Sequence, residues 1–513
     1  MPEQGGGVVE ASEKRRLVVA SNRLPVVLTR KWTGGDGSSW HVEPGSGGLV
    51  TAVEPVVKRR GGVWVGWPGT TGEEPGELQS VLDEVEEDKG YRISPVPLTA
   101  DERDDFYLGF SNQVIWPLFH DFQNQCNFEP RFWEVYRRVN ERFADVLEDE
   151  IREGDFVWVH DYHLMAVARE LRERDVREVL GFFLHIPFPP LDLFVKLPWR
   201  FTILDSLLQF DLVGFQSARD RRNFLDCVEQ LAPNVSLDRD GQSDRRVVPL
   251  EVDGRTVRAG VFPVSNDFEE FAGLASTSDV SERVARLRTE FAGRQVILGV
   301  DRLDYSKGIP HKLKGYRLAL ERYPDLRGNM TLVQLVVPSR EEIPEYYRMK
   351  WEIEQLVGEI QGEFTRPGWV PIHYQYGRWE RPELIAHYRT AAVALVTPLK
   401  DGMNLVAKEY CTCSLEGSGV LILSEYAGAT AQLQHDALLV NPYDVEGVAD
   451  AIHDAFTMAA EERRSRMTRM REVIRKYDIR WWVDTFMKAA DGEELGEDAA
   501  LKTFRPNPPP SLF

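Results

Sequence analysis

Cysteine is scarce in this chain: four in 513 residues, at 126, 227, 411 and 413. So few, so scattered, they exclude a disulfide framework, and Cys411 and Cys413 read as buried thiols on a helix. Long apolar runs are missing too. No stretch reaches the ~18 residues of a membrane-spanning helix, and the N-terminus lacks the compact apolar segment of a secretory signal. Positive charge is in deficit. The 62 Lys and Arg against 82 Asp and Glu leave a formal charge of −20. Nucleic acid and anionic membranes attract basic surfaces, so both are expected to be absent as partners. The expectation is a cytoplasmic protein in which local cations meet any anionic substrate.

Several catalytic signatures are absent as well. There is no G-x-S-x-G elbow and no zinc-ligand spacing. The run Asp238 to Asp244 imitates a calcium loop, but its Gly241 falls at the fourth position and no Glu closes it. It reads as a polar surface loop. No metal and no cofactor are expected.

What is present is a repeated alternation of strands and helices. "RLVVASNRLPV", "DFVWVHDY", "VLGFFLHIPF" and "LVGFQS" are apolar runs of the kind buried on both faces of a parallel sheet. Residues 131–150 place Phe132, Val135, Tyr136, Val139, Phe143 and Leu147 at helical spacing. The pattern restarts after about residue 265 with "QVILGVDRL", "TLVQLVVP", "VPIHYQY", "VALVTPL" and "GVLILSEY". The chain therefore reads as two doubly wound α/β domains, 15–264 and 265–478, joined near "VFPVSND". A disordered start, 1–14, and a Pro-rich tail, 496–513, flank them. Ligands of such domains bind outside the carboxyl ends of the strands.

The residues that stand out sit at those ends. In "VDRLDYSKG", Arg302 and Lys307 are two cations around a turn and can flank one diphosphate; a solvated turn with a local Asp304 pair is the other reading. In "TPLKDGMNLVAKEY", a strand ends at Leu399 and a helix is expected to open at Gly402. Its free N–H groups at 402–405 would form an anion site. Glu409 can accept from a ribose diol, and Asp401 can either bind a sugar hydroxyl or cap the helix. Gly47 and Gly48 in "GSGGLVTAV" open another helix and permit close backbone approach to a ligand. The first domain ends its strands in Arg23 ("SNRLP"), Asp161 ("VHDYHL") and His185 ("FLHIPFP"). Tyr107 and Trp116 add aromatic surface on which a sugar ring packs, whereas Trp64 and Trp67 read as core.

These motifs together resemble the trehalose-6-phosphate synthase family. "SNRLP", "GGL", "FSNQVIWPLFH", "VHDYHL", "FFLHIPFP", "DRLDYSKG" and "DGMNLVAKEY" occur in the family's order, over roughly residues 15–490. The resemblance implies a GT-B fold: two Rossmann-like domains facing each other across a cleft, with a last helix, 479–495, crossing back to the first. It implies retaining, metal-independent transfer of glucose from a nucleotide-glucose, UDP-glucose foremost, to glucose 6-phosphate. It matches Gly47, Gly48, Arg302 and Lys307 to the donor diphosphate. Asp401, Gly402, Met403, Asn404 and Leu405 match the stretch holding glucose and phosphates, Glu409 the ribose ligand, and Trp379 an aromatic near the nucleotide. Arg23, Tyr107, Asp161 and Arg340 match the acceptor ligands, and His185 and Trp116 the positions that select the α anomer. The catalytic set is then His185, Arg302, Lys307 and Asp401. The first loop is longer than in short bacterial members, and Val264-Ser265-Asn266 departs from the family's hinge.

Two rivals remain, a glucosylglycerol-phosphate synthase and a silent sugar-phosphate sensor. The first typically lacks "SNRLP" and the paired "GGL", and the second usually erodes the Arg/Lys pair or the donor helix. A separate trehalose-phosphate phosphatase is expected downstream, and a homo-oligomer is left open.

Overall fold

The fold is described from a computed structural model of the chain, over residues 15–32, 38–45, 48–72, 75–237, 245–291 and 293–496. The N-terminal 14 residues, Gly47, the Asp238–Asp244 loop and the tail from 497 lie outside the described residues. The chain forms two compact units: one up to Phe262 with the return from Trp482, the other Pro263–Trp481.

The first unit carries β1 (Leu17–Arg23), a hairpin of β2 (Val26–Trp32) and β3 (Ser38–Pro44), then β4 (Val63–Trp67) and β5 (Arg92–Pro95). It continues with β6 (Phe156–His160), β7 (Val179–Phe183), β8 (Leu212–Phe215), β9 (Val235–Ser236), β10 (Val247–Val252) and β11 (Arg255–Val261). Its main sheet runs β5-β4-β1-β6-β7-β8-β11-β10-β9, parallel as far as β11 and antiparallel beyond. β4, β6 and β8 are buried along their whole length, which is why they read as unbroken apolar runs. The apolar stripe expected over 131–150 lies on the helix Pro130–Glu150. β3 falls in the segment read from the sequence as a loop and pairs antiparallel with β2.

The second unit is a six-stranded, all-parallel sheet in the order β14-β13-β12-β15-β16-β17. Its strands are β12 (Gln295–Arg302), β13 (Met330–Val337), β14 (Ile372–Tyr376), β15 (Val393–Val396), β16 (Val420–Ser424) and β17 (Leu438–Val440). Successive side chains point to opposite faces. Ile297 accordingly joins one buried cluster, while Val296 and Leu298 join another on the far side.

Both sheets reverse their winding once. In the first unit β1 lies beside β4 and β6, so the chain winds outward to β5 and then restarts at β6. In the second, β12 lies beside β13 and β15 in the same way. These reversals are where such sheets open a crevice for ligands. The residues singled out above flank them: Arg23 and Asp161 in the first unit, Arg302 and Asp401 in the second.

From Trp482 onward the helix Ile479–Ala490 belongs to the first unit. Its Phe486 stacks on Trp158 at 4.5 Å and 10°. A Cβ on Gly181 or Gly214 would lie 3.0 or 2.6 Å from the Phe486 ring. Two glycines in otherwise apolar strands thus clear the space this ring fills. Among the described residues no helix is long and apolar enough to cross a membrane.

Candidate functional site

In the first unit, Arg23 ends β1 with its guanidinium 3.9 Å over the Trp67 ring and 5.8 Å from that of Tyr107. Desolvation lowers its pKa, with Tyr107 opposing and Arg103 adding to the shift. The cation stays charged and is held by ring faces. Trp67 is therefore core, as expected, but also the platform for Arg23. Gly69, at φ +96°, passes so close that a Cβ would sit 2.2 Å from Arg23 Nη1.

Tyr107 lies on the helix Arg103–Ile115, which is wound with i→i+5 bonds; Trp116 N–H donates to the Ser111 carbonyl. Wide helical turns of this kind are rare and often mark functional sites. The Tyr107 ring stacks on His163 at 5.9 Å and 14°. Trp116 follows this helix, is only 5% exposed and packs against His120 and Tyr162.

Asp161 follows β6 at φ 75°, ψ 168°, a conformation costing a non-glycine residue about 1–3 kcal/mol. The strain sets two bonds. Asp161 N–H donates to the Phe183 carbonyl at 2.8 Å, and Asp161 Oδ1 accepts from His185 N–H at 3.1 Å. The His185 ring is 8% exposed, and its Nε2 lies 3.2 Å from Nδ1 of His160. Burial pushes the His185 pKa down to about 3. His160 is shifted the same way, by burial and then by His185. Both rings are neutral in the working pH range.

A pH prediction follows with a definite sign. An unfolded His185 takes up a proton near its ordinary value of 6.5, whereas the folded one refuses it down to about 3. Stability is therefore full above pH 6.5 and is lost as pH falls through that window. The urea midpoint should drop between pH 7.5 and 5, and His185→Gln should flatten that drop. Identical slopes for wild type and variant would contradict the buried neutral imidazole.

In the second unit, Arg302 is the last residue of β12 and is exposed. Asp304 Oδ1 accepts from Ser306 N–H at 3.0 Å and so tightens the turn Tyr305–Lys307. Gly308 follows at φ +64°, where a Cβ would meet the Thr397 carbonyl oxygen at 2.9 Å. Lys307 Nζ then reaches Asp401 Oδ2 at 2.5 Å, joining the ends of β12 and β15. This turn is not solvated. Asp304 is fully buried and ion-paired with Arg340 at 3.1 Å. Arg340, at φ 50°, also donates to the Tyr346 hydroxyl at 2.7 Å.

The donor-side helix starts later than expected, spanning Leu405–Cys413. Asn404, at φ 61°, is its N-cap, and its Oδ1 accepts from Ala407 N–H at 3.1 Å. Asp401 is therefore not the cap. Its Oδ1 accepts from Met403 N–H at 3.2 Å and its Oδ2 from Asn404 Nδ2 at 3.1 Å. So the Met403 N–H expected to be free is taken. The left-handed Asn404 keeps 401–404 out of the helix, as a short polar side chain permits. Gly402 lies against Gly428, where a Cβ would come within 1.7 Å of the Gly402 carbonyl oxygen.

Farther along the helix, Glu409 Oε2 accepts from the Tyr388 hydroxyl at 2.8 Å. Burial raises the carboxyl pKa, and the Tyr388 bond and Arg381 oppose the rise. Trp379 stacks on His387 at 3.9 Å and 18°, with its indole N–H donating to Gln375 Oε1. Cys411 and Cys413 are buried, and burial pushes the Cys411 thiol up to about 12, so both behave as small apolar side chains. Gly48 opens the helix Gly48–Arg59 as expected.

The profile of glycosyltransferase family 20 matches residues 15–491. The chain belongs to glycosyltransferase family 20. A Mycolicibacterium paratuberculosis relative, trehalose-6-phosphate synthase, is 42% identical over 477 residues, covering 92% of this chain and 94% of its own. An α,α-trehalose-phosphate synthase (UDP-forming) from Burkholderia xenovorans, solved with glucose-6-phosphate, superposes with a TM-score of 0.81 at 34% identity, over 93% of this chain and 100% of that one. An E. coli structure described as trehalose-6-phosphate bound with UDP-2-fluoro glucose gives 0.82 at 36%, over 93% and 98%. This family member is thus an α/β glycosyltransferase of the GT-B class, a hexosyltransferase with two Rossmann-like units.

Within this family member, sequence reasoning passed over His160, Tyr346 and Tyr388, and read Asp304 only as the local pair of a solvated turn. Each is a buried polar group that touches a singled-out residue. Only His160 carried a visible signal, since it stands at a strand end beside Asp161.

Proposed function

We propose that the chain transfers glucose, with retention, from UDP-glucose to glucose 6-phosphate and releases trehalose 6-phosphate. The observation that carries this reading is the Lys307–Asp401 contact across the winding reversal of the second unit. It gathers Arg302, Lys307, the 401–404 segment and the helix start at Leu405 at one strand-end cluster. Diphosphate oxygens gain negative charge as the glycosidic bond breaks, and fixed cations and a helix N-terminus stabilise that charge. Asp401 holds Lys307 in place before the donor arrives and offers Oδ1 to a sugar hydroxyl.

The remaining donor contacts are Gly47 and Gly48 at the diphosphate, Met403 to Leu405 at glucose and phosphate, Glu409 at the ribose and Trp379 at the base. Arg23, Tyr107, Trp116, Asp161 and Arg340 bind the acceptor. Reaction follows a front-face route. The acceptor hydroxyl attacks from the side the diphosphate leaves, and a diphosphate oxygen takes its proton. Neutral His185 donates to a hydroxyl of the transferred sugar and is not a general base.

The test is initial rates with UDP-, GDP- and ADP-glucose against glucose 6-phosphate, with the product identified by mass. UDP-glucose should be used best, the sugar phosphate should accumulate, and rates should survive excess EDTA. Free trehalose from the pure protein, or loss of turnover in EDTA restored by magnesium, would overturn the reading.

A further inference from the structure

His160 ends β6 and His185 follows β7, its parallel neighbour, two residues past the pairing of His160 with Phe183. His160 is fully buried, and Nδ1 is the ring atom that faces His185 Nε2, at 3.2 Å. Two neutral imidazoles can share one such hydrogen bond only if their tautomers are opposed: one nitrogen donates and the other accepts. Two arrangements satisfy this. Either His160 Nδ1–H donates, leaving His185 with its proton on Nδ1, or His185 Nε2–H donates, leaving His185 with a bare Nδ1.

The surroundings of His160 separate them. Its far nitrogen, Nε2, is buried and without a partner, as are the indole N–H groups of Trp158 and Trp482. Those two rings lie 4.7 and 6.2 Å from the His160 ring. A proton on His160 Nε2 would place a third buried donor without an acceptor in this cluster, and each such group costs about 1–3 kcal/mol. A lone pair there is the complement of two donors. We infer that His160 is a positioning residue that donates from Nδ1 to His185 Nε2, fixing His185 as the Nδ1–H tautomer. The second ring nitrogen of His185 has no protein partner among the described residues, and in this tautomer it is a hydrogen-bond donor. Asp161 completes the device by holding the His185 backbone N–H at 3.1 Å, so backbone and ring are both fixed before substrate binds. Burial keeps both rings neutral, so the arrangement persists across the working pH range.

The catalytic consequence rests on the proposed role of His185 as donor to the transferred sugar; the tautomer itself does not. The two are read separately. In the full chain labelled with 15N-histidine and free of substrate, long-range 1H–15N correlations report which His185 nitrogen carries the proton, with His185→Gln providing the assignment. The expected result is Nδ1–H in the wild type and in His160→Asn, whose amide nitrogen stands where Nδ1 does. In His160→Leu the signal should shift to Nε2–H or to a mixture. kcat should fall about 10-fold or more in His160→Leu, with KM for the donor little changed, and His160→Asn should recover most of it. An Nε2–H signal in the wild type overturns the inference even if the leucine variant does not fold, as does a leucine variant with an unaltered His185. A shifted tautomer with unchanged kcat supports the lock and overturns the donor role given to His185.

Discussion

Arg302→Ala should lower kcat by about 100-fold or more, the scale for losing one preorganised charge donor, while the protein stays folded. Arg302 is the exposed terminal residue of β12, so little packing depends on it. Its proposed target, the departing diphosphate, is more negative in the transition state than in bound donor. A contact that strengthens on the way to the transition state acts on turnover more than on affinity. Steady-state kinetics against UDP-glucose, with circular dichroism to confirm folding, is the check. An increase in KM with kcat intact would show that Arg302 serves binding alone. Lys307→Ala is a less clean experiment. It also removes one of the partners of Asp401, whose side chain is only 9% exposed, so part of its effect would come from rearranging the 401–404 segment.

Arg340→Ala should do two things at once. The first is destabilisation by about 3–5 kcal/mol, the usual cost of removing one member of a buried ion pair. Arg340 and Asp304 side chains are 6% and 0% exposed, so solvent screens little of the loss. The second is a rise in KM for glucose 6-phosphate of about 10-fold or more, because the acceptor phosphate keeps its charge through the reaction and its clamp acts uniformly. The double variant Arg340→Ala, Asp304→Asn separates the two. The introduced amide keeps an oxygen for Ser306 N–H but buries no charge, so the urea midpoint should recover while KM stays high. Recovery of both would mean that Arg340 only maintains the loop. A single variant within about 1 kcal/mol of wild type would mean that the buried pair is not a structural tie.

The two halves of this result were not equally legible. Apolar runs bounded by turn residues located the strands, because a strand buried on both faces must be apolar throughout. For the same reason the polar residue ending each run stood out, which placed Arg23, Asp161, His185, Arg302 and Asp401 at or just past the carboxyl ends of strands. The start of the donor helix was not legible. Gly402 and Asp401 satisfy the usual start signals, but Asn404 adopts the left-handed conformation and takes the cap. That choice is fixed by packing of the 401–402 backbone against Tyr426 and Gly428. The i→i+5 winding of the helix Arg103–Ile115 was equally hidden.

By itself, then, the sequence determined the class of fold, the strand-end positions of the candidate groups and their chemical types. Hydrophobic period and residue type are local properties and need no partner to be read. Only the tertiary structure decided which groups act together: Lys307 with Asp401, Arg340 with Asp304, His160 with His185. Those partners lie 94, 36 and 25 residues apart. Each pair meets because parallel crossovers return the chain to a neighbouring strand in one register, and burial then makes the pairing obligatory.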